Sequence, residues 1–317
     1  MTIRTWLTDR FGLTVPVVGA PMAGVGAGRL AAAVSRAGAL GMIGVSGAVT
    51  PAWIEEQAGE AAASGRPYGI GLIAWTLARD PAKLDAVLAA RPALVSVSFG
   101  PYAEHVGKLR AAGIVVVTQA GTTEEAVAAE QAGVDAVVAR GGEGGGHGRN
   151  EVATLPLLQS VLDAVRVPVL AAGGIATARG LAAVLAAGAE GAWVGTAFMG
   201  CAETVLPPAA AERVLAAAET DTAYGRVFDV AQRLDWPPEY GGRALRNAFF
   251  ERWQGREEEL AAHDAAPAEI DAARKAGDYE TACVYAGQAV GMVRQRRTAA
   301  DVVAAFADAE RLLTRFH

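Results

Sequence analysis

Cysteine is scarce in this 317-residue sequence, where only Cys201 and Cys283 occur, far apart and without a C-x-x-C spacing. This excludes a disulfide framework and a zinc-finger arrangement, so we predict no metal site and a reducing, cytoplasmic setting. Basic residues form no block, and the formal net charge is −6. Nucleic acid and anionic lipid are therefore not expected as partners.

A hydrophobic leader is also not expected. The first ten residues, MTIRTWLTDR, are charged and polar where a signal peptide would be apolar. The most hydrophobic window, Leu181 to Met199, is interrupted by three glycines and Glu190, so it is interpreted as the interior of a fold and not as a membrane span. What is abundant is glycine, with 38 residues, and hydrophobic residues, at 52%. This composition is typical of a globular α/β protein with many tight turns.

Short apolar runs alternate with amphipathic stretches between residues 15 and 196. Helices such as Thr122–Ala132 and Thr177–Ala187 are predicted between the runs, and phrases such as AAEQAGVDAVV join helix to strand through Ala-Gly. Eight βα units favour a closed TIM (β/α)8 barrel over an open doubly wound sheet, which is the alternative. The eight predicted strands are mostly apolar on both faces, as in buried parallel sheets: Val15–Ala20, Ala39–Ile43, Tyr68–Ile73, Leu94–Ser98, Ile114–Thr118, Ala136–Ala139, Val167–Ala171 and Gly191–Val194.

The alternation stops after Met199. Residues 1–200 are therefore predicted to form the barrel, and residues 201–317 a C-terminal helical extension packed on it. The extension contains long Ala/Glu/Arg stretches and one proline- and aromatic-rich break, DWPPEYGG, but no strand pattern. We expect it to be an appendage and not a second catalytic domain.

Two glycine turns close the seventh and eighth units, Gly173-Gly174 and Gly195-Thr196. In barrels of this type the active site lies at the carboxyl ends of the strands, and a phosphate commonly binds at the loops after strands seven and eight. Backbone N–H groups that open a helix favour an anion. The pair of turns thus predicts a phosphate cradle, although glycine could also serve only to make the turns tight.

The sixth loop, RGGEGGGHGRN, is rich in glycine around Glu143 and His147 and directly follows a predicted strand. Ordering such a loop costs entropy, which is reasonable if its backbone lies against a flat cofactor. An imidazole can act as a base near neutral pH, so His147 is the candidate catalytic residue; the alternative is a mobile linker. The other histidines, His105, His263 and His317, are expected to be solvated.

Taken together, these motifs resemble the nitronate monooxygenases, formerly called 2-nitropropane dioxygenases, from about residue 10 to about residue 250. That family consists of FMN-containing barrels. The resemblance is carried by the pair Pro21-Met22 after strand one, the glycine-rich loop from Arg140 to His147, the Gly173–Ile175 turn and the Gly195-Thr196 turn.

The resemblance implies FMN as the cofactor and His147 as the active-site histidine. Two positions depart from the family pattern: Arg140 stands where the family has glutamine, and Gly71 where it often has asparagine. An arginine beside the flavin pyrimidine would stabilise the anionic reduced flavin. Gln119 is added from its position after strand five alone. The predicted cofactor residues are Ala20, Pro21, Met22, Gly71, Gln119, Arg140, Gly145, Gly146, Gly173, Gly174, Trp193, Val194, Gly195 and Thr196.

The reaction implied by the family is oxidation of alkyl nitronates or nitroalkanes with O2 to carbonyl compounds and nitrite. His147 would deprotonate the nitroalkane or stabilise the nitronate. The alternative is an NAD(P)H-dependent flavin reductase acting on quinones or enoyl thioesters, as in the related enoyl-carrier-protein reductases. A flavin-free phosphosugar isomerase or aldolase is a third class, disfavoured because no strand end presents a lysine and no catalytic carboxylate pair is found. A purely binding role is least expected, and no oligomeric state is predicted.

Overall fold

Eight parallel strands close into a barrel in the computed structural model, which describes residues 3–314. The strands of the chain are β1 (Val17–Gly19), β2 (Leu40–Gly44), β3 (Tyr68–Ile73), β4 (Leu94–Ser98), β5 (Val115–Ala120), β6 (Ala136–Arg140), β7 (Gly146–His147), β8 (Val169–Ala172), β9 (Ala192–Val194), β10 (Thr222–Gly225) and β11 (Gly242–Leu245). The barrel order is β1-β2-β3-β4-β5-β6-β8-β9, and β9 closes it by pairing with β1. The predicted (β/α)8 barrel is confirmed, with the ends of the predicted strands displaced by at most two residues.

Helices surround the barrel and build most of the C-terminal part. They are α1 (Trp6–Phe11), α2 (Gly28–Arg36), α3 (Pro51–Ala62), α4 (Ala74–Leu77), α5 (Ala82–Ala90), α6 (Ala103–Ala111), α7 (Thr123–Gln131), α8 (Thr154–Ala164), α9 (Ala178–Ala186), α10 (Pro208–Ala216), α11 (Val227–Gln232), α12 (Ala248–Trp253), α13 (Glu257–Ala261), α14 (Ala266–Ala276), α15 (Ala299–Phe306) and α16 (Ala309–Leu313), with 3₁₀ helices at Thr196–Gly200 and Gln288–Met292. None of the helices within residues 3–314 combines the length and the hydrophobicity that a membrane crossing requires.

The predicted helix boundaries have a local chemical cause. Thr122 precedes α7, and its hydroxyl accepts a hydrogen bond from the Glu125 amide at 3.1 Å, which satisfies one of the unpaired N–H groups of the first turn. At the other end Gly133 has φ +84°, and Gly188 after α9 has φ +107°. A residue without Cβ adopts this conformation at little cost. The Ala-Gly motif therefore ends helices such as α7 and α9 and turns the chain into the next strand.

The barrel has two apolar layers. The inner layer is formed by inward side chains of the strands, such as Leu94 and Val138, and is closed from the amino-terminal end by Leu7 and Phe11 at α1. The outer layer lies between the strands and the surrounding helices. Because α1 covers the amino-terminal end, the carboxyl ends of the strands remain as the face on which a site can be built.

The C-terminal part contains short strands among its helices, although its sequence shows no strand pattern. Strands β10 and β11 pair antiparallel, and β11 also pairs with β7 in the sixth loop, where Gly242 lies opposite His147. Each of these strands has at most four residues, which is too short to show an alternating pattern. Helix α15 packs on α2 and α9 of the barrel. The division at residue 200 stays a prediction.

Candidate active site

The predicted cofactor residues come from six of the barrel strands and the loops that follow them. The first and last turns are neighbours, because a Cβ placed on Gly195 would lie 3.5 Å from Met22 Sδ and 3.7 Å from Ala20 Cβ. Gly71, in β3, lies against Pro21, and a Cβ on it would be only 2.3 Å from the proline ring. An asparagine cannot replace Gly71 unless Pro21 moves, so the departure at residue 71 has a steric reason.

Two of the other predicted cofactor residues, Trp193 and Val194, have side chains that are packed in the barrel and leave only their backbone for a ligand. Trp193 packs inside the barrel and Val194 packs outside it, so neither side chain projects freely from the carboxyl end of β9. Gln119 differs, because its backbone N–H donates to Ser98 Oγ at 3.0 Å while its side-chain amide makes no hydrogen bond within the described residues. Of these three residues, Gln119 has the side chain free to contact a ligand.

The two glycine turns present unpaired backbone N–H groups. In the described part of the chain the amides of Gly174, Ile175, Gly195 and Thr196 donate to no oxygen atom. The turns lead into α9 and into the 3₁₀ helix Thr196–Gly200, and such helix starts carry partial positive charge. The donors fit an anion with several oxygens, such as a phosphate monoester.

Arg140 shapes the sixth loop from within. Its side chain is buried, and Nη2 donates to the carbonyl oxygens of Gly144, Gly145 and Gly146 at 2.9 to 3.0 Å. Burial lowers the pKa of Arg140 to about 10, which still leaves the guanidinium protonated near neutrality. Its donors are thus largely used to fold the glycine-rich loop, and the predicted contact of Arg140 with a flavin stays a prediction.

The sixth loop is also fixed at Glu143 and at the C-terminal part of the chain. Glu143 Oε2 accepts hydrogen bonds from the backbone and the hydroxyl of Thr154 at 2.8 Å. The Gln288 amide donates to the Glu143 carbonyl at 3.0 Å, and the Gly287 amide donates to Thr196 Oγ1 at 3.0 Å. A single segment of the extension therefore ties the sixth loop to the turn after β9.

His147 is held by a buried carboxylate. Its Nε2 lies 2.8 Å from Asp229 Oδ1, and the two side chains are 9% and 2% exposed. A carboxylate only accepts hydrogen bonds, so Nε2 carries a hydrogen, and in a neutral imidazole Nδ1 then keeps a lone pair. Nδ1 has no hydrogen-bond partner within residues 3–314. Tyr285 reinforces the pair, since its hydroxyl lies 3.4 Å from the same oxygen and burial raises its pKa well above the usual value.

Aromatic rings cover one face of the imidazole. Trp236 stacks on His147 with ring centroids 3.6 Å apart and planes 5° from parallel. Trp236 also contacts Trp75 and Phe99 edge to face, at 5.6 and 5.4 Å. Because stacking covers the face and not the edge of the ring, Nδ1 stays available. On the side of Trp236 the surroundings of the imidazole are aromatic.

Phe99 has a strained backbone at this aromatic cluster. It follows β4 with φ +68°, a conformation that a bulky L-residue rarely adopts. Its carbonyl accepts a hydrogen bond from the Trp75 amide at 3.2 Å, which holds the ring beside Trp236. Strain of this kind is typical of functional sites, and it identifies the end of β4 as part of the candidate active site.

The remaining histidines differ from expectation in one case. His105 was expected to be solvated but is buried in α6, and neither ring nitrogen has a hydrogen-bond partner in the described chain. His263 is 42% exposed, as expected. His317 lies outside the described residues. No group of three or more His, Cys, Asp or Glu side chains that could hold a metal occurs within residues 3–314.

Comparison with known proteins decides the family. A family model described as nitronate monooxygenase matches residues 72–308. The chain belongs to the nitronate monooxygenase family. The resemblance read from the sequence is thereby confirmed, and the chain is an oxidoreductase of a family that is in general flavin-dependent.

Three proteins illustrate the range of the similarity. The structure of FabK from Thermotoga maritima superposes with a TM-score of 0.86 at 30% identity, over 100% of both chains. The nitroalkane oxidase of Streptomyces ansochromogenes gives 0.83 at 33% identity, over 97% of this chain and 99% of that one. A Rhodococcus jostii relative is 38% identical over 72% of this chain. That relative is named (3aS,4S,5R,7aS)-5-hydroxy-7a-methyl-1-oxo-octahydro-1H-indene-4-carboxyl-CoA dehydrogenase. The aligned part of the present chain spans only 64% of its length.

Three residues around the imidazole were not foreseen from the sequence: Asp229, Trp236 and Tyr285. Trp236 lies in the DWPPEYGG string, whose aromatic residues beside prolines were a usable signal. Asp229 lies in α11, which has only six residues. In so short a helix the sequence does not show which face is buried, so the acid could not be recognised as a buried one. All three belong to the extension, where the sequence indicated helices only.

Proposed function

We propose that this chain is an FMN-dependent enzyme that oxidises alkyl nitronates and nitroalkanes with O2, giving carbonyl compounds and nitrite. The family membership supports oxidation of this class, and the Streptomyces ansochromogenes neighbour is named a nitroalkane oxidase. The single observation that carries the proposal is the hydrogen bond of 2.8 Å between His147 Nε2 and Asp229 Oδ1, because it leaves Nδ1 as an oriented base.

The unpaired amides of the two glycine turns support FMN as the flavin. Four N–H groups, from Gly174, Ile175, Gly195 and Thr196, donate to no oxygen in the described chain, and a phosphate monoester supplies the oxygens they lack. Gly146 fits a ring above the sixth loop, because a Cβ added to it meets no atom within 4 Å. When bound, the flavin would supply the redox chemistry, accepting electrons from the substrate and passing them to O2.

His147 would move the proton. In a nitroalkane the carbon next to the nitro group is acidic; the Nδ1 lone pair of a neutral His147 would take that proton, and Asp229 would stabilise the imidazolium that results. With a nitronate the deprotonation has already occurred, and a protonated imidazole would hold the anionic oxygens. Trp236 and Trp75 would keep bulk water from this region, which strengthens the charge interaction.

The test is a matched pair of histidine variants. The purified protein is expected to bind FMN and to oxidise ethylnitronate, with nitrite as the measured product. His147→Asn should keep FMN bound and lose at least about 100-fold in kcat/KM, the lower range for a general acid–base residue. His263→Asn, at an exposed position, should retain full activity. Undiminished turnover in His147→Asn would remove the imidazole from the mechanism.

The second candidate is an NAD(P)H-dependent flavin reductase acting on enoyl thioesters or quinones. The name of the Rhodococcus jostii relative, a carboxyl-CoA dehydrogenase, supports a thioester substrate. Anaerobic mixing separates the two candidates. Bleaching of the flavin by ethylnitronate but not by NADPH supports nitronate oxidation, whereas rapid bleaching by NADPH supports the reductase. Failure to bind FMN would contradict both.

A further inference from the structure

A cavity of about 250 Å³ lies next to the two glycine turns. Ala176 and Ala197, which line one side, follow Gly174 and Thr196 by two residues and one residue. Met292, Arg294, Gln295 and Arg297 line another side. The cavity lies slightly below the range of about 300–1,000 Å³ for pockets that enclose a drug-sized ligand. Its volume therefore suits a fragment of a larger molecule, and Arg294 and Arg297 are the charged groups in its lining.

The segment beside this cavity is strongly basic in an acidic protein. Arg294, Arg296 and Arg297 occur within four residues and are all exposed, whereas the whole chain has a formal net charge of −6. Gln295 orients one of them, because its side-chain oxygen accepts hydrogen bonds from Nε and Nη2 of Arg297 at 3.1 Å. Arginine binds phosphate through parallel N–H donors.

Two acidic groups near this segment accept hydrogen bonds at the start of α15. The Thr298 hydrogen bonds and the charge of Arg297 lower the pKa of Asp301, and a third acid, Glu219, lies beside Gly291. Asp301 Oδ2 accepts from the Thr298 hydroxyl at 2.7 Å and from the Thr298 amide at 3.1 Å. The Glu203 carboxylate accepts from the Ala299 amide at 3.1 Å. Both carboxylates serve the first turn of α15. The guanidinium groups of Arg294 and Arg297 are in no ion pair within the described part of the chain. Gln295 occupies Nε and Nη2 of Arg297, so the Arg294 guanidinium and Nη1 of Arg297 are left for an anion.

The cavity and the sixth loop, which carries His147, lie at opposite ends of one short helix. The 3₁₀ helix Gln288–Met292 begins where the Gln288 amide donates to the Glu143 carbonyl at 3.0 Å, and it ends at the cavity wall. At about 2 Å per residue such a helix of five residues spans roughly 10 Å. An elongated substrate could therefore have its reacting end near His147 and a phosphorylated end at Arg294.

We propose that this cavity binds the phosphates of an adenine-nucleotide tail, the chemical part that coenzyme A thioesters and NADPH share. Both molecules carry a pyrophosphate and a further phosphate on the ribose. The 38% identity to a carboxyl-CoA dehydrogenase supports the ligand class. The inference goes beyond nitronate oxidation, since nitronates carry no nucleotide, and it does not depend on that reaction.

The experiment is equilibrium binding of coenzyme A and of NADPH, each by titration calorimetry, to protein saturated with FMN. The double variant Arg294→Glu/Arg297→Glu should weaken binding at least about 10-fold, because it removes charge-assisted hydrogen bonds to phosphate and places two carboxylates that repel the anion. The control is Arg36→Glu, an exposed arginine at the end of α2, which should change binding less than about twofold by the same scale.

Each outcome decides something. Tight binding of coenzyme A alone identifies a thioester substrate, and tight binding of NADPH alone identifies a nicotinamide reductant; either result with the expected loss in the double variant supports the site. The proposal is overturned if the native protein binds neither molecule, if the double variant binds as the native protein does, or if the variant instead releases FMN. Nitrite production is measured separately, so failure of nitronate oxidation does not affect this result.

Discussion

The barrel and the C-terminal extension contribute different things to one site. The barrel supplies a repeated scaffold whose last two turns present unpaired amides, and these features follow from a pattern visible in the sequence. The extension supplies Asp229, Trp236 and Tyr285 around the imidazole. The comparison shows that unpaired amides can be built into a regular fold, whereas the imidazole is oriented by an irregular segment packed onto it.

The largest effect is expected from the barrel core. Phe198 is fully buried in the 3₁₀ helix that follows Thr196, and Phe198→Ala should lower the free energy of unfolding by about 3–5 kcal/mol because it leaves a cavity. FMN affinity should fall as well, since the turn loses its support. Phe250→Ala in the extension, at an equally buried residue, should destabilise similarly but leave FMN affinity unchanged. Urea unfolding measures the stability of each variant, and FMN titration measures its affinity for the cofactor. Equal FMN affinity in the two variants would contradict the proposal that the barrel, and not the extension, supports FMN binding.

Next in size is the carboxylate behind the imidazole. Asp229→Asn keeps the shape of the side chain but removes its preference for a protonated Nε2, so kcat/KM should fall by about 100-fold with FMN fully bound. The pH profile of kcat/KM should change along with the rate, which loss of packing alone would not cause. Tyr285→Phe, which removes a weaker contact of 3.4 Å to the same carboxylate, should have a much smaller effect. If Asp229→Asn loses FMN instead, the proposal that the barrel binds the cofactor while the extension only orients His147 is wrong.

A smaller effect is expected from the stacked tryptophan. Trp236→Ala removes the ring that covers the imidazole at 3.6 Å, and an aromatic pair of this kind contributes about 0.5–1.5 kcal/mol. Turnover of ethylnitronate should therefore fall by up to about 10-fold. Trp236→Phe should recover most of the loss, because a smaller ring can still stack. Activity that Trp236→Ala leaves unchanged would show that the cluster serves only to fold the extension.

The smallest effect is expected from the ion pair next to that tryptophan. Asp235 contacts Arg79 at 2.6 Å, but the two side chains are 64% and 63% exposed, and such pairs contribute about 0–1 kcal/mol. Asp235→Ala should therefore change turnover less than about fivefold and serves as a control for Trp236→Ala. A loss as large as that of the tryptophan variant would mean that the position of the whole segment, not the ring, sets the activity.

The barrel was more predictable from the sequence than the C-terminal extension. The strands and helices of the barrel recur with caps and glycine stops, as at Thr122 and Gly133, so local chemistry was enough to locate them. The place of His147 was also predictable, because a glycine-rich loop follows a buried strand. Asp229 was not, since its contact with His147 joins residues far apart in the sequence and depends on a six-residue helix. The burial of Arg140 against loop carbonyls was likewise a matter of tertiary packing.

Pairing of β7 with β11 has a consequence during synthesis. Domains generally fold from the amino terminus as the chain emerges from the ribosome, so the barrel with its two glycine turns can form before residues 229 and 285 exist. At that stage the imidazole has neither its carboxylate nor its neighbouring strand. If His147 is the base of the proposed function, it is oriented only after residues 229 and 285 have been synthesised, whereas the two glycine turns exist before them.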